Sequence, residues 1–142
     1  MANDQLAEFI DRHMAAWNRR DATALCEHHS ENGVVFSPMF ARIEGRSQIC
    51  ASYSSIFTVF PDWHLEFGSP ISGDHRVALS FTVTATHQGD FMGLPGTGRR
   101  CEFEGVSLYE LDDNLLIREE RRIYDFTGLL TQIGVLKIKP AG

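Results

Sequence analysis

Cysteine is scarce in this chain. Three cysteines occur in 142 residues, Cys26, Cys50 and Cys101, an odd number with no Cys-x-x-Cys pair. They read as small, reduced core residues, not as a disulfide framework or a zinc site. Long apolar runs are absent, so no segment approaches the ~20 residues that a membrane-spanning helix needs. Basic charge is in deficit: 13 Lys and Arg stand against 19 Asp and Glu, a formal net charge of −6. That balance argues against a nucleic-acid partner. The local cluster Arg118, Arg121 and Arg122 is interrupted by Glu119 and Glu120 and reads as a salt-bridged strand. Met1-Ala2-Asn3-Asp4-Gln5 lacks the basic region and apolar core of a signal peptide, and the expected location is the cytoplasm. Repeats, low-complexity tracts and linkers are also missing. Residues 1–142 therefore read as a single domain, long enough to bury a core without staples.

What is present is a run of helical signals followed by strands. Leu6, Phe9, Ile10, His13, Met14 and Trp17 recur at three- and four-residue steps, which predicts an amphipathic helix over 4–18. Asp21 can cap a short second helix over 22–29. A strand over 34–37 ends at Pro38, a turn follows at 42–45, and Ile49, Tyr53, Ile56 and Phe57 mark a third helix near 46–57. After Pro61 the period becomes two. Trp63, Leu65 and Phe67 form one face of a strand, and Val77, Leu79, Phe81 and Val83 one face of the next. Two long strands, 101–111 and 115–126, flank the turn Asp112-Asp113-Asn114, and a short helix or turn covers 127–135. Helices first and antiparallel strands after make an α+β chain, with helices packed on one face of a curved sheet. Such a sheet leaves a cone-shaped cavity suited to a small molecule.

Five segments in order carry a resemblance. They are Trp17-Asn18-Arg19-Arg20-Asp21; Phe60-Pro61-Asp62-Trp63-His64; Thr86-His87-Gln88-Gly89-Asp90-Phe91; Gly93-Leu94-Pro95-Gly96-Thr97-Gly98-Arg99; and Asp125-Phe126-Thr127-Gly128-Leu129-Leu130 with Gln132-Ile133-Gly134. Together they resemble the SnoaL-like group of small polyketide cyclases, within the NTF2-like superfamily. The resemblance covers nearly the whole chain. It implies an NTF2-like cone, N-terminal helices packed on a strongly curved, mostly antiparallel sheet. It also implies intramolecular aldol chemistry without metal or redox cofactor, and a homodimer formed through the outer sheet face. Two positions depart from the family pattern. Gly96 stands where a second proline is usual, which predicts a looser loop. Arg121 stands where an aromatic residue is usual, which predicts a charged pocket floor and counts against polycyclic aromatic substrates.

Asp125 is the expected catalytic residue, a general acid/base that takes a proton from a carbon flanked by carbonyls. By strand parity it shares a face with Ile123, Arg121, Glu119 and Ile117, and that face is expected to line the cavity. Tyr124, Arg122, Glu120 and Arg118 are then expected outside, at a polar dimer interface. Asp125 equally fits a helix N-cap, or a partner for Arg121. His87 is the second catalytic candidate, placed at a loop mouth where it could polarise a carbonyl, or simply bond the turn beside it. Trp17, Phe36, Tyr53, Phe91, Leu94 and Arg121 are the candidate substrate contacts, with the Gly89–Gly98 segment as a flap over the pocket. The flap does not read as a phosphate loop, because it lacks the Lys-Ser/Thr ending and opens no helix. Adjacent His28 and His29 make a poor zinc site, and Cys101 has no neighbouring base. The leading expectation is an enzyme acting on a small hydrophobic carbonyl compound by cyclisation or isomerisation. The alternatives are a non-catalytic dimeric binding module and, ranked lower for want of an Arg-x-Asp on the Val77–Ala85 strand, an epoxide hydrolase on the same fold.

Overall fold

The computed structural model describes residues 2–137 and 139. Three helices come first, α1 (Ala2–Arg19), α2 (Ala22–Glu27) and α3 (Arg46–Val59), with β1 (His29–Ser37) and β2 (Ala41–Glu44) between the last two. The remainder is β3 (His64–Phe67), β4 (Ile71–Gly73), β5 (Arg76–Thr86), β6 (Arg100–Leu111), β7 (Ile117–Tyr124) and α4 (Phe126–Ile133). The seven-stranded sheet runs β2-β1-β7-β6-β5-β3, with β4 pairing β5. Among the described residues only β1 and β7 pair in parallel. The α+β architecture and the mostly antiparallel sheet are as the sequence predicts. β2 replaces the expected turn at 42–45, and β1 begins five residues earlier than expected, carried across Gly33 by an irregular register with β7.

Short polar devices set the element ends. Asp21 accepts a hydrogen bond from the Ala24 N–H at 3.0 Å and caps α2. Asp112 accepts from the N–H groups of Asn114 and Leu116 and closes the β6–β7 turn, the role expected of Asp in such a turn. Asn18 clasps β3 in both directions, donating to the Leu65 carbonyl at 3.0 Å and accepting from its N–H at 2.9 Å.

The helices cover the concave face of the sheet. Trp17, Leu25, Ile49, Tyr53, Ile56 and Phe60 pack on Leu65, Phe81, Val83, Phe103 and Leu129 in the main core. Leu6, Phe9 and Ile10 of α1 reach Val77, Leu79, Tyr109 and Ile117 in a second cluster. β5 buries its odd-numbered residues as expected.

β7 does not follow the parity expectation. Ile117 is buried, but after it the buried positions are Glu120 and Arg122, while Arg121 and Ile123 face outward. The cause is an irregularity in the β6–β7 pairing. Glu110 pairs with Glu119, yet Leu111 pairs with Ile117, so one extra residue is absorbed at Arg118. A bulge of one residue exchanges the two faces for every position beyond it. The predicted cavity face is therefore the outer face, and the predicted interface residues Glu120 and Arg122 are inside.

Cysteine pairing also differs from expectation. Cys26 of α2 and Cys50 of α3 form a disulfide, with Cα atoms 5.0 Å apart. Twenty-four residues separate them in sequence, and only the packing of α2 on α3 brings them together. Cys101 is a free, buried thiol, and burial pushes its pKa to about 11, against a role as a nucleophile.

Candidate functional site

The cone encloses a cavity of about 30 Å³ accessible to water centres, walled by Trp17, Trp63, Leu65, Phe81, Phe103 and Tyr124, with Ser107, Tyr109 and Arg122 among its lining. This is room for roughly two waters. Three of these residues, Trp63, Phe103 and Tyr124, also belong to a circuit of six aromatic rings. Trp63 meets Phe103 at 5.8 Å between ring centroids, Phe103 meets Tyr124 at 5.1 Å, and Tyr124 meets Phe126 at 6.4 Å. Phe126 meets Phe91 at 6.4 Å, Phe91 meets Phe60 at 6.0 Å, and Phe60 returns to Trp63 at 5.4 Å. These are the offset and edge-to-face separations that aromatic pairs prefer. They draw on four separate stretches of the chain, so the collar exists only in the folded chain.

A charged network lies at the base. Glu120 and Arg122, two apart on the inner face of β7, form a buried pair. Arg122 Nε donates to Glu120 Oε2 at 2.8 Å and Nη2 to Oε1 at 3.2 Å. Neither side chain reaches solvent appreciably. Burial alone would push the Glu120 carboxyl up. The Arg122 charge and its hydrogen bonds, helped by His29 and Ser107, more than reverse this and hold it below the usual carboxylate value. The guanidinium sits 5.4 Å from the Trp17 ring centroid and 5.2 Å from that of Tyr53. The Tyr53 hydroxyl lies 2.7 Å from His29 Nε2, and burial, then the Glu120 charge, raises its pKa far out of the working range. His29 is held neutral, its pKa lowered to about 4 by burial against the opposing pull of Glu120. Beyond it, His13 Nδ1 meets His28 Nδ1 at 2.9 Å.

At the collar, His87 is fully buried. Its Nδ1 lies 3.0 Å from Thr97 Oγ1 and accepts from the Thr97 N–H at 3.3 Å. A backbone N–H can only donate, so neutral His87 carries its proton on Nε2. That Nε2 has no partner among the described residues, and the ring packs on Phe60 and Phe91 at 6.1 and 6.4 Å. Asp125 follows Tyr124 and precedes Phe126, two members of the collar. It is solvent-exposed and caps α4, with Oδ1 accepting from the Gly128 N–H at 2.8 Å. Of its two structural roles that the sequence allows, the N-cap is formed and the Arg121 pair is not, since Arg121 stacks on Phe36 instead.

The other candidate residues divide between two faces. Trp17 lines the cavity, Tyr53 stands in the charged network, and Phe91 closes the collar. Leu94 pairs with Phe91 across a tight turn, each N–H donating to the other's carbonyl at 2.9 Å. Met92 and Gly93 at its centre both have positive φ, the geometry of a type I′ turn. Met92 points outward and is 64% exposed. Phe36 and Arg121 lie outside the cone. The Arg121 guanidinium stacks 4.3 Å over the Phe36 ring on the convex face, so the charged pocket floor expected from Arg121 is not formed. The inward arginine is Arg122, one residue on. Gly96 does not loosen its loop, because its Cα abuts the Gln88 carbonyl so closely that a Cβ would collide.

The sequence motifs turn out to be largely junction clasps. Asp62 accepts from both the N–H and the hydroxyl of Thr86 at 2.7 Å. Gln132 binds the backbone of Glu102 in both directions, at 2.7 and 2.9 Å. With Asn18, His87 and Asp125, they tie helix ends and loops to the rim of the sheet. Two larger hollows lie on the convex face, of about 540 Å³ beside Ile71, Leu108 and Arg121, and about 630 Å³ beside Phe36, Arg121 and Ile123. Both are shallow and open to solvent. Among the described residues no helix is long and apolar enough to cross a membrane.

Comparison with known proteins agrees with this architecture. No functionally curated protein matches the sequence. Among solved structures, AclR of Streptomyces galilaeus, a proposed hydroxylase, is 31% identical with a TM-score of 0.81, over 96% of this chain and 85% of that one. IdmH of Streptomyces antibioticus, a proposed polyketide cyclase, is 24% identical with a TM-score of 0.75, over 92% and 99%. A Catenulispora acidiphila protein with a ketosteroid isomerase-like fold, solved with trimethylamine, is 16% identical with a TM-score of 0.75, over 94% and 98%. The SnoaL-like polyketide cyclase profile matches residues 7–133. With that span, the cone and the collar in hand, the chain belongs to the SnoaL-like polyketide cyclase family.

Proposed function

We propose that this protein is a cofactor-independent enzyme acting on a small, apolar carbonyl compound, by aldol cyclisation or isomerisation at the collar. The observation that carries the reading is the unpartnered, fully buried His87 Nε2–H beside the closed aromatic circuit. A buried donor without a partner costs about 1–3 kcal/mol, and a ligand carbonyl would relieve that cost. His87 then polarises the substrate carbonyl and steadies the enolate oxygen. Asp125 Oδ1 is committed to its helix cap, which leaves Oδ2 as the base. It takes the proton from the carbon between two carbonyls. The enolate carbon forms the new C–C bond to a third carbonyl elsewhere in the same substrate, whose π electrons become an alkoxide, and the Asp125 carboxyl returns the proton there. The exposed carboxylate would be dried by the substrate itself.

The test is turnover, by Asp125→Asn and His87→Phe, of β-dicarbonyl compounds that carry a third, aldehyde or ketone carbonyl for cyclisation. Asn caps helices as well as Asp does, so Asp125→Asn keeps the fold. Loss of turnover by at least a hundredfold is expected from the general-base role; unchanged turnover removes Asp125 from the chemistry. A second reading, a non-catalytic binding module, is favoured by the exposure and capping role of Asp125, and predicts ligand binding with no turnover in either form.

We also infer a homodimer through the convex sheet face. Leu108 and Ile123 are 42% and 50% exposed there, beside the Phe36–Arg121 stack. Leu108→Glu is expected to shift the protein to monomer in light-scattering chromatography, and an unchanged mass would overturn the assignment.

A further inference from the structure

Trp63 has a feature that neither its packing nor the chemistry above uses. It borders the central cavity and is 5% exposed. Its ring is fixed between Phe60 and Phe103, yet its indole N–H has no partner among the described residues. Indole N–H is a donor only, and buried tryptophans ordinarily find an acceptor. The nearby polar groups are already engaged with one another. Glu120 holds Arg122 through two hydrogen bonds, and Tyr53 is bonded to His29.

Charge defines the missing acceptor further. The guanidinium that lines the cavity is neutralised by Glu120 at 2.8 Å, so the cavity holds no net positive charge from that pair. A carboxylate ligand would bring a second anion into an apolar enclosure with no cation left for it, at a large desolvation cost. A neutral carbonyl needs one donor, and Trp63 supplies one.

We propose that the inner cavity is a second oxygen subsite, in which Trp63 Nε1–H binds a neutral carbonyl at the buried end of the ligand. The enclosed space of about 30 Å³ takes a short acyl tail, and a larger ring of the same ligand rests against Phe91 and Phe126 in the collar. This rests on the reading of the collar as the ligand site. It gives the substrate two neutral carbonyl oxygens held by the protein, one at His87 and one at Trp63, and sets its inner end as acyl, not acid.

The probes are benzoylacetone, butyrophenone and butylbenzene, which share a phenyl ring and four-carbon chain and carry two, one and no carbonyl groups. The protein has two tryptophans, Trp17 and Trp63, and both line this cavity. In a nitrogen-15 labelled sample the two indole N–H resonances therefore report occupancy, and Trp63→Phe identifies which is which. Benzoylacetone is expected to move the Trp63 resonance downfield, and butylbenzene is not. Trp63→Phe is expected to weaken benzoylacetone about tenfold more than it weakens butylbenzene, by calorimetry. Equal weakening of both, or a benzoylacetone complex in which the Trp63 proton does not move, overturns the subsite. So does a titration in which neither indole responds to any probe. If Trp63→Phe fails to fold, the indole-to-backbone nuclear Overhauser contacts of the wild-type protein assign the two resonances, and the Trp63 resonance decides. Binding with a silent Trp63 but with turnover removes only this subsite. Trp63-dependent binding without turnover removes the enzyme reading and keeps the subsite.

Discussion

Replacing Arg122 with methionine leaves the Glu120 carboxylate stranded inside the cone. The wild-type pair has bonds of 2.8 and 3.2 Å with the carboxylate fully enclosed. Without Arg122 the nearest charge partner is His29 Nε2 at 3.9 Å, and His29 is neutral. The site escapes by taking up a proton. For Glu120, with an ordinary value of 4.5, protonation at pH 7 costs about 1.4 kcal/mol per pH unit, or about 3 kcal/mol. Loss of the guanidinium from the Trp17 and Tyr53 faces adds roughly 1 kcal/mol. The expected destabilisation is about 4 kcal/mol, within the range for breaking a buried pair. Urea melts of wild type, Arg122→Met, Glu120→Gln and the double variant measure it. The double variant is expected to regain most of the loss, because no charge is then left unpaired. Whether Glu120 or His29 takes the proton, Arg122→Met binds more protons on folding than wild type. Its deficit therefore shrinks on acidification to pH 5.5, by up to about 2 kcal/mol. Additive single effects, or a deficit that ignores pH, would refute the buried-pair argument.

Acid sensitivity should also come from His29. Its pKa is near 4 in the fold against 6.5 unfolded, so its contribution is complete above 6.5 and is lost as pH falls from 6.5 toward 4. The difference is on the order of 3 kcal/mol, readable as a fall in urea midpoint that His29→Gln flattens; a midpoint constant over that window would contradict it. Asp125→Ala is expected to cost about 1 kcal/mol through the lost α4 cap, and Asp125→Asn only a few tenths; equal thermal shifts for the two would count against the cap. Gly96→Ala, although it moves the loop back toward a side chain at that position, drives a Cβ into the Gln88 carbonyl and is expected to lower stability by 1–3 kcal/mol, on the order of other overpacking substitutions. A stabilised Gly96→Ala would show that the loop has room.

Much of the fold was legible locally. The three-and-four spacing of Leu6 to Trp17 is α1, the alternation of Val77 to Val83 is the inner face of β5, and Asp21 and Asp112 act within a few residues of their own positions. The family motifs were legible too, but their function was not. Asn18, Asp62, His87 and Gln132 clasp backbone or side chains ten or more residues away, and nothing in a linear string distinguishes such a clasp from a catalytic group.

The sequence by itself determined the α+β order of elements, the family and the apolar character of the cone, because each depends on composition, period or motif. It did not determine which face of β7 lines the cavity. Parity counting from Ile117 assumes an unbroken ladder, and one extra residue at Arg118 exchanges Arg121 for Arg122. The tertiary structure alone decided that Glu120 and Arg122 meet His29 and Tyr53, that Cys26 meets Cys50, and that six rings from four stretches of chain close a collar. These are encounters between distant segments, fixed by how the helices pack on the sheet and not by any local preference.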